Sequence, residues 1–429
     1  CVDRARVSMN IALISLIALC GAIAVSGVSR VNIGILAMSL AWLLGYYLAG
    51  MPIGAIVAGF PLSLATMLFG VTFLFSLAQQ NGTLGNLAGR AIGLAHGHLG
   101  VVPLLFFLLP LVLATIGPGN IAAVALIAPL AMAIAGRSGI SAFLMTLMVA
   151  NGANAGAFSP FAPTGIIANG LIARQGLVMD PWTQVYLPSL LAQGLIAVLG
   201  YLSFGGLQLW HGEPAGSASV QRALTERPAR LTSAQWVTVG AIAALIVGVV
   251  VFKADLGFLA ITLALVLAMT GTADQEAALK AIPWDTIIMV CGVSVLVAIV
   301  EKTGGLDLFT SLLARVSTAR NIPGVIAFVA GAVSAYSSSS GVVMPTFIPM
   351  VPGLIAKLGG GDPVAIVSAI NVGSHVVDVS PLSTLGAICI ANAAAHEDHD
   401  RLFRRLLIYG LAMALIGALV CYLFFGLLW

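Results

Sequence analysis

The chain alternates between long apolar segments and short polar stretches. The apolar segments lie at about 9–28, 31–50, 53–79, 101–135, 139–173, 184–206, 235–252, 256–271, 284–300, 322–357, 363–393 and 404–428. A membrane-spanning helix needs roughly 20 consecutive apolar residues, and most of these segments reach that length. The apolar runs are continuous rather than alternating, which excludes a transmembrane β-barrel. The pattern therefore predicts an all-α polytopic membrane protein.

The composition indicates the same class. Hydrophobic residues make up 60% of the chain and charged residues 8%, whereas soluble domains carry about 25% charged residues. A soluble enzyme of this size is therefore excluded, and no basic run indicates nucleic-acid binding. The five cysteines have no metal or redox spacing, so we expect no cofactor. The first apolar segment begins near Met9 without a small-residue cleavage site after it, which predicts a retained span.

The two halves of the chain resemble each other. Matching landmarks are separated by 220 to 223 residues: Arg30 to Gly34 with Lys253 to Gly257, Gly70 with Gly292, Asn151 with Asn371, and Ser159-Pro160 with Ser380-Pro381. A nearly constant offset over several landmarks indicates an internal duplication. We predict a first repeat at 9–210, a hydrophilic linker at 211–233 and a second repeat at 234–429.

Two segments in each half are interrupted by polar or helix-breaking residues. Segment 101–135 contains Ile116-Gly-Pro-Gly-Asn120, and segment 322–357 contains Tyr336-Ser-Ser-Ser-Ser-Gly341. Each predicts a re-entrant hairpin, because Pro and Gly stop a helix and bare backbone inside a membrane must be covered by protein or a wet cavity. The next segments are broken between Asn151 and Thr164 and between Asn371 and Thr384. Interrupted segments at matching positions indicate a transporter's binding site.

Each half then contains five crossings and one hairpin. Five is an odd number, so the second half must be inverted relative to the first. We therefore predict an inverted repeat in which 101–173 and 322–393 form the transport core and the remaining spans form a scaffold. The stretches 83–96 and 305–319 are expected to lie along the membrane surface. Basic residues slightly favour an external N-terminus.

The predicted core contains few charges. Between 101 and 172 the only charged residue is Arg137, and between 322 and 396 there are Lys357, Asp362 and Asp378. Helix N-termini suit carboxylates, and hydroxyl and carbonyl oxygens suit a small hard cation such as Na⁺. Moving an anion inward against the membrane potential costs about 2.3 kcal/mol per charge per 100 mV, which a co-bound cation offsets. The sequence thus favours cation-coupled uptake of a small anion.

The hairpin tips and breaks resemble those of a known superfamily. Gly119-Asn120-Ile121 is followed by Pro129, and Ser339-Ser340-Gly341 by Pro349. The pattern resembles the ion transporter superfamily, including the divalent anion/sodium symporters, whose tips carry Ser-Asn-Thr with a proline nine residues after the Asn. Only Asn120 and Ser339 keep that identity, while the family's Ser/Thr-Pro of the broken helix is kept at both breaks.

From about Met9 onward, the chain as a whole resembles the MatC-type malonate/dicarboxylate carriers. This resemblance implies Na⁺-coupled import of a dicarboxylate by an elevator motion. It also implies a homodimer held together by the outer spans, in a bacterial inner membrane.

The tips and breaks supply the candidate site residues. For the substrate we predict Asn120, Ser159, Pro160, Thr164, Ser339, Ser340, His375, Ser380, Pro381 and Thr384. For Na⁺ we predict Thr115, Gly119, Asn120, Asn151, Ser337, Ser340, Asn371 and Asp378. The alternative role for these polar residues is to cap helix ends or to bond the carbonyl one turn back.

His375 and Asp378 have no counterparts in the first half, where Ala155 and Phe158 occupy the matching positions. An ionisable residue inside a membrane segment is a functional hypothesis by default. Three roles remain open. The two residues could form a proton relay, Asp378 could bind a cation while His375 donates to a carboxylate, or both could be a structural pair on one helix face. Two alternative functions follow, an H⁺-coupled dicarboxylate transporter and an arsenite or cation exporter of the same superfamily.

Overall fold

The computed structural model describes residues 2–28, 31–92, 99–211, 230–271, 273–394 and 396–427. All regular elements in these ranges are helical. Seven helices within them are long and apolar enough to cross a membrane: Leu62–Gln80, Gly119–Ser138, Pro181–Ser203, Ser233–Val250, Trp284–Lys302, Ser339–Leu358 and His399–Leu427. Five apolar helices are shorter: Asn10–Val25, Ile33–Leu48, Val101–Ile116, Leu256–Met269 and Ile322–Ser334. The prediction of an all-α polytopic membrane protein is confirmed.

Shorter helices complete the outer part of the molecule. These are Ile53–Val57, Thr83–Ile92, Gln208–His211, Gln275–Lys280 and Gly305–Val316. Thr83–Ile92 and Gly305–Val316 occupy most of the two stretches for which surface helices were predicted, although 93–96 lie outside the described residues. Most of the predicted linker 211–233 also lies outside them.

Four segments form the central part of the fold. The first hairpin consists of Val101–Ile116 and Gly119–Ser138, and the second of Ile322–Ser334 and Ser339–Leu358. The first broken span consists of Ala142–Ala157 and Pro163–Arg174, and the second of Pro363–His375 and Thr384–Ala391. All residues of Ala142–Ala157 are buried, as are those from Val364 to His375. The interrupted backbone is therefore shielded by protein, which is the condition under which a membrane tolerates it.

Glycines allow close helix crossings in the outer part. A Cβ added to Gly292 would collide with the carbonyl oxygen of Gly34, on the helix Ile33–Leu48. In the same way, a Cβ added to Gly70 would collide with the carbonyl oxygen of Gly257. Small residues at such crossings let helix backbones touch and pack tightly in a membrane. Both crossings join one half of the chain to the other, and the repeat relates them to each other, because the sequence pairs Gly34 with Gly257 and Gly70 with Gly292.

The broken spans also depend on glycine. A Cβ at Gly152 would collide with the carbonyl of Phe107 in the first hairpin, and one at Gly373 would lie 2.5 Å from the carbonyl oxygen of Ala327 in the second. Each broken span therefore lies directly against the first arm of its own hairpin. This contact fixes the position of both breaks relative to both hairpin tips.

Candidate functional site

The tip of the first hairpin is a tight glycine turn. Gly117 and Gly119 have φ values of +146° and +84°, in the region that favours glycine. A Cβ on Gly119 would lie 2.9 Å from Cδ of Pro163, at the start of the second helix of the first broken span. The tip and this helix N-terminus are therefore in direct contact.

Replacing Gly119 with alanine is expected to disrupt this contact. The backbone of an alanine would be strained at this positive φ, and its Cβ would push the tip away from Pro163. We expect uptake to fall at least tenfold, because displacements of about 1 Å at a binding site have effects of this size. Gly139→Ala is the matched control, since Gly139 has a φ of +70° but open space around it. An equal loss of uptake in the two variants would show that backbone strain at a positive φ, and not the contact with Pro163, causes the loss.

A cavity of about 220 Å³ lies between the hairpin tips and the outer helices. On its core side it is lined by Pro118, Gly119, Asn120, Ile121, Ala122, Pro163, Thr164, Ile167 and Ser340. On the other side it is lined by Thr72, Phe75, Ser76, Gln79, Ala281, Pro283 and Thr286. None of these residues is charged, so among the described residues the cavity wall is neutral.

Three helices begin at this cavity, at Gly119, Pro163 and Trp284. The residues preceding them are proline, alanine and proline, and none of these three caps its helix. Within the first turns, Asn120 Oδ1 accepts from the N–H of Ile121, and the N–H groups of Trp284 and Thr286 donate to the carbonyls of Ile282 and Pro283. An uncapped helix N-terminus presents free N–H groups and a partial positive charge. The cavity is therefore suited to an anion although its side chains are neutral.

Several polar side chains in the cavity have no hydrogen-bond partner among the described residues: Ser76, Gln79, Thr164, Thr286 and Ser340. Thr164 is only 3% exposed and Ser76 only 8%. Buried polar groups are almost always hydrogen-bonded in folded proteins. These side chains line the cavity, so their hydroxyl and amide groups can bond to water or to a polar ligand there.

A chain of hydrogen bonds connects the two hairpin tips behind the cavity. Asn120 Nδ2 donates to Asn154 Oδ1 at 2.8 Å, and Asn154 Nδ2 donates to the carbonyl oxygen of His375 at 2.9 Å. Asn154 Nδ2 also lies 3.5 Å from Asp378 Oδ2. Asp378 Oδ1 lies 2.7 Å from the hydroxyl of Ser339, at the tip of the second hairpin. Asn154 thus ties the two halves of the chain together.

Asp378 is a buried acid without a basic partner. It is 6% exposed, and the ion pairs within the described residues are Lys280–Glu276 and Lys357–Asp307. Burying an unpaired carboxylate costs several kcal/mol or more, so such a group takes up a proton or a cation. The side chain is therefore able to respond to a coupling ion.

The predicted site residues fall into three groups. Four line the cavity: Gly119, Asn120, Thr164 and Ser340. Two belong to the buried hydrogen-bonded chain, Ser339 and Asp378. The others lie outside the cavity wall: Thr115, Asn151, Ser159, Pro160, Ser337, Asn371, His375, Ser380, Pro381 and Thr384. The cavity thus contains residues of the first break and of both tips.

Residues of the third group have structural contacts. Ser159 donates to the carbonyl of Thr115 at 2.7 Å, and the Thr115 hydroxyl lies 2.9 Å from the Tyr186 hydroxyl. The Ser380 hydroxyl accepts from the N–H of Leu382 at 3.3 Å. These bonds hold the hairpin arm and the breaks in position.

His375 and the two matching asparagines are buried. His375 Nδ1 lies 3.0 Å from the carbonyl oxygen of Asn371, and its ring packs edge-on against Phe158 with centroids 4.7 Å apart. Asn151 and Asn371 are fully buried, and neither side-chain atom of either residue has a partner within the described residues. Thr384, in contrast, is exposed.

Sequence reasoning missed five residues of the site. Asn154 and Ser334 belong to the hydrogen-bonded chain, and Ser76, Gln79 and Thr286 line the cavity from outside the predicted core. Thr72, Ser76 and Gln79 are spaced by four and three residues, so they share one face of an apolar helix. This row of polar residues on one face of an apolar helix is the sequence signal that could have predicted their place at the cavity.

The first third of the chain is similar to a known family of carriers. Residues 9–157, about a third of the chain, match the family model described as Dicarboxylate carrier protein MatC N-terminus. No curated protein sequence matches the chain.

Two solved structures resemble the whole chain. The YdaH transporter of Alcanivorax borkumensis, described as having an unusual topology, has a TM-score of 0.56 and 17% identity, with 99% of both chains covered. MtrF of Neisseria gonorrhoeae, described within a class of antimetabolite efflux pumps, has a TM-score of 0.58 and 15% identity, with 97% of this chain and 94% of that chain covered. At such identities the likeness concerns the fold alone. This multi-pass membrane protein therefore shares the fold of these two structures, and its residues 9–157 match the model of the MatC N-terminus.

Proposed function

We propose that the protein is a cation-coupled carrier that takes up a short-chain dicarboxylate such as malonate. The observation that carries this proposal is the neutral cavity at which three uncapped helix N-termini meet. Its volume of about 220 Å³ is several times the roughly 30 Å³ that one water molecule occupies in the liquid. It therefore has room for a solute of a few carbon atoms, and its helix ends favour carboxylates.

The neutral wall also supports cation coupling. No fixed positive side chain compensates the charge of a bound dianion, so inward movement must work against the membrane potential. A co-transported cation offsets that cost. The resemblance to sodium symporters makes Na⁺ the first candidate, and the oxygen atoms of Ser334, Ser339 and Asp378 around the second tip are of the type that Na⁺ binds.

The transport movement that we propose is an elevator motion within an inverted repeat. It is supported by two outer helices, Leu62–Gln80 and Trp284–Lys302, whose matching faces line cavities of different size. Thr72, Phe75, Ser76 and Gln79 line the cavity described above, whereas Ser294, Val297, Ala298 and Glu301, each 222 residues further on, line a cavity of only about 30 Å³. One route to the core is thus open and its counterpart nearly closed, as alternating access requires. We extend this proposal to a homodimer in which the outer helices form the contact.

A proton is the second candidate for the coupling ion, and the hydroxyl geometry favours it. Ser334 Oγ lies 2.6 Å from the carbonyl oxygen of Ser374, which only accepts, so the single proton of Ser334 is used there. Ser339 Oγ lies 2.7 Å from Ser334 Oγ, and we propose that it donates its own proton to that contact rather than to Asp378. The remaining contact, 2.7 Å from Ser339 Oγ to Asp378, then needs a proton on the carboxyl group.

Uptake by reconstituted liposomes tests the proposed function. We expect ¹⁴C-malonate to accumulate when an inward Na⁺ gradient is imposed, and the same experiment is repeated with an inward H⁺ gradient at matched voltage. Accumulation with an H⁺ gradient alone would support malonate as the substrate but would replace Na⁺ with H⁺ as the coupling ion. Absence of accumulation of malonate and succinate under either gradient would contradict uptake, and loss of preloaded substrate would then indicate an exporter.

A further inference from the structure

We infer that the outer wall of the cavity, formed by Ser76, Gln79 and Thr286 and called the fixed wall below, binds one carboxylate of the substrate and selects its chain length. The inference rests on the proposed function and adds a specificity site outside the predicted core. The fixed wall belongs to two helices, Leu62–Gln80 and Trp284–Lys302, that lie outside both hairpins and both broken spans.

The side chains of the fixed wall have unused hydrogen-bonding capacity. Ser76 is 92% buried, Thr286 is half-buried and Gln79 is exposed, and none of the three side chains has a hydrogen-bond partner within the described part of the chain. Thr72, on the same helix face, differs because its hydroxyl donates to the carbonyl of Leu68 at 2.6 Å. Three side chains with free donors therefore face one small cavity.

The backbone adds a positive end to the fixed wall. Thr286 is in the first turn of Trp284–Lys302, and Pro283 provides no side-chain cap there. The one acid of this turn, Asp285, does not line the cavity, and its carbonyl accepts from Asn32 Nδ2 at 3.0 Å. A carboxylate beside Thr286 would thus have a helix N-terminus, two hydroxyls and one amide within the same wall.

The opposite wall provides a second carboxylate position. Thr164 and Asn120 lie at the first turns of the helices that begin at Pro163 and Gly119. Apolar side chains of Phe75, Ile121 and Ile167 line the same cavity. Polar groups on two facing walls and apolar groups beside them suit a molecule with a carboxylate at each end and methylene groups in the middle.

The fixed wall has no equivalent on the opposite route. At the positions 222 residues further on, Ala298 replaces Ser76 and Glu301 replaces Gln79. A carboxylate side chain repels an anion, whereas an amide N–H donates to it. Arg174, which also lines the smaller cavity, donates to the carbonyl of Gly59 at 3.0 Å. Binding by the fixed wall is therefore restricted to the face of the membrane on which the larger cavity opens.

Kinetics of Gln79→Leu in oriented liposomes tests this inference. We expect the KM for malonate to rise about tenfold on the face of the larger cavity, since one hydrogen bond to a charged group is lost. The KM on the opposite face should stay within twofold. Gln80→Leu is the matched control, because Gln80 is the next residue, exposed and outside the cavity wall. We expect its KM to equal that of the wild type.

The conservative variant Gln79→Asn tests chain-length selection. Its amide is retracted by one methylene group, so the ratio of kcat/KM for succinate to that for malonate should rise severalfold. A general loss of stability would lower both values and leave the ratio unchanged. An unchanged KM in Gln79→Leu together with an unchanged ratio in Gln79→Asn would overturn the inference, provided that the wild type transports both acids. Failure of the wild type to transport either acid would instead contradict the proposed function.

Discussion

Replacing Asn154 with leucine is expected to abolish uptake and to destabilise the protein. The amide of Asn154 is fully buried, accepts from Asn120 and donates to the carbonyl of His375. Leucine would remove the partner of the half-buried Asn120 amide and one of the two hydrogen bonds of the His375 carbonyl, which also accepts from the N–H of Asp378 at 3.2 Å. Each lost hydrogen bond costs about 1 kcal/mol. The variant also loses the contact that holds the first hairpin tip against the second half. We therefore expect a melting temperature several degrees lower and uptake below one hundredth of the wild-type rate.

Asn151→Leu is the matched control for this prediction. Asn151 lies one turn earlier on the same helix and is also fully buried, but its amide has no partner within the described residues. Leucine there removes an unsatisfied polar group, so stability in Na⁺-free buffer should be unchanged or higher. Equal destabilisation by the two substitutions would show that helix packing, and not the hydrogen bonds of Asn154, accounts for the effect.

The same control tests a prediction of the sequence. Asn151 and Asn371 were predicted as Na⁺ ligands, and in the structure both are buried without partners. If Na⁺ binds there, stabilisation of the wild type by Na⁺ should disappear in Asn151→Leu. If stabilisation by Na⁺ persists, Asn151 is not a ligand, and the oxygen atoms near the second hairpin tip remain as the Na⁺ site.

The sequence predicted the positions of the interruptions well. The breaks lie at Gly117-Pro118 and from Ala335 to Ser338. They depend on residues that disfavour helix interiors, glycine and proline in the first and serine in the second, and this property is local. Their position in the chain is therefore readable without knowledge of the fold. The Ser-Pro pairs mark the other two breaks in the same way.

The sequence could not predict which polar residues meet. Asn151 and Asn154 are the same residue type on the same buried helix, but only Asn154 faces another amide. That difference depends on the rotation of one helix against another, which arises from long-range packing at glycines such as Gly152. The fixed wall was missed for a related reason, since Gln79 and Thr286 are separated in sequence and meet only through the fold.

Replacing Asp378 with asparagine is expected to abolish cation-driven accumulation while the protein remains folded. Asparagine has nearly the same shape, and its amide N–H can donate to Ser339 Oγ as a protonated carboxyl group would. It can neither release a proton nor carry the negative charge that a cation requires. Accumulation of ¹⁴C-malonate under either gradient should therefore fall to the level set by equilibration. Asp378→Ala, which also removes the hydrogen bonds, should in addition lower the melting temperature.

The infrared spectrum of the purified protein distinguishes the two coupling ions without any transport assay. With a proton on Asp378, the wild type should show the carbonyl stretch of a protonated carboxylic acid at neutral pH, and Asp378→Asn should lack it. Removal of the hydroxyl in Ser334→Ala frees the proton of Ser339 for the carboxylate, so the band should then disappear at a lower pH. A wild-type spectrum without this band would favour Na⁺ beside an ionised Asp378.

Unchanged ion dependence of uptake in Asp378→Asn would instead assign Asp378 a structural role, because the residue would then hold the second hairpin tip without taking part in coupling.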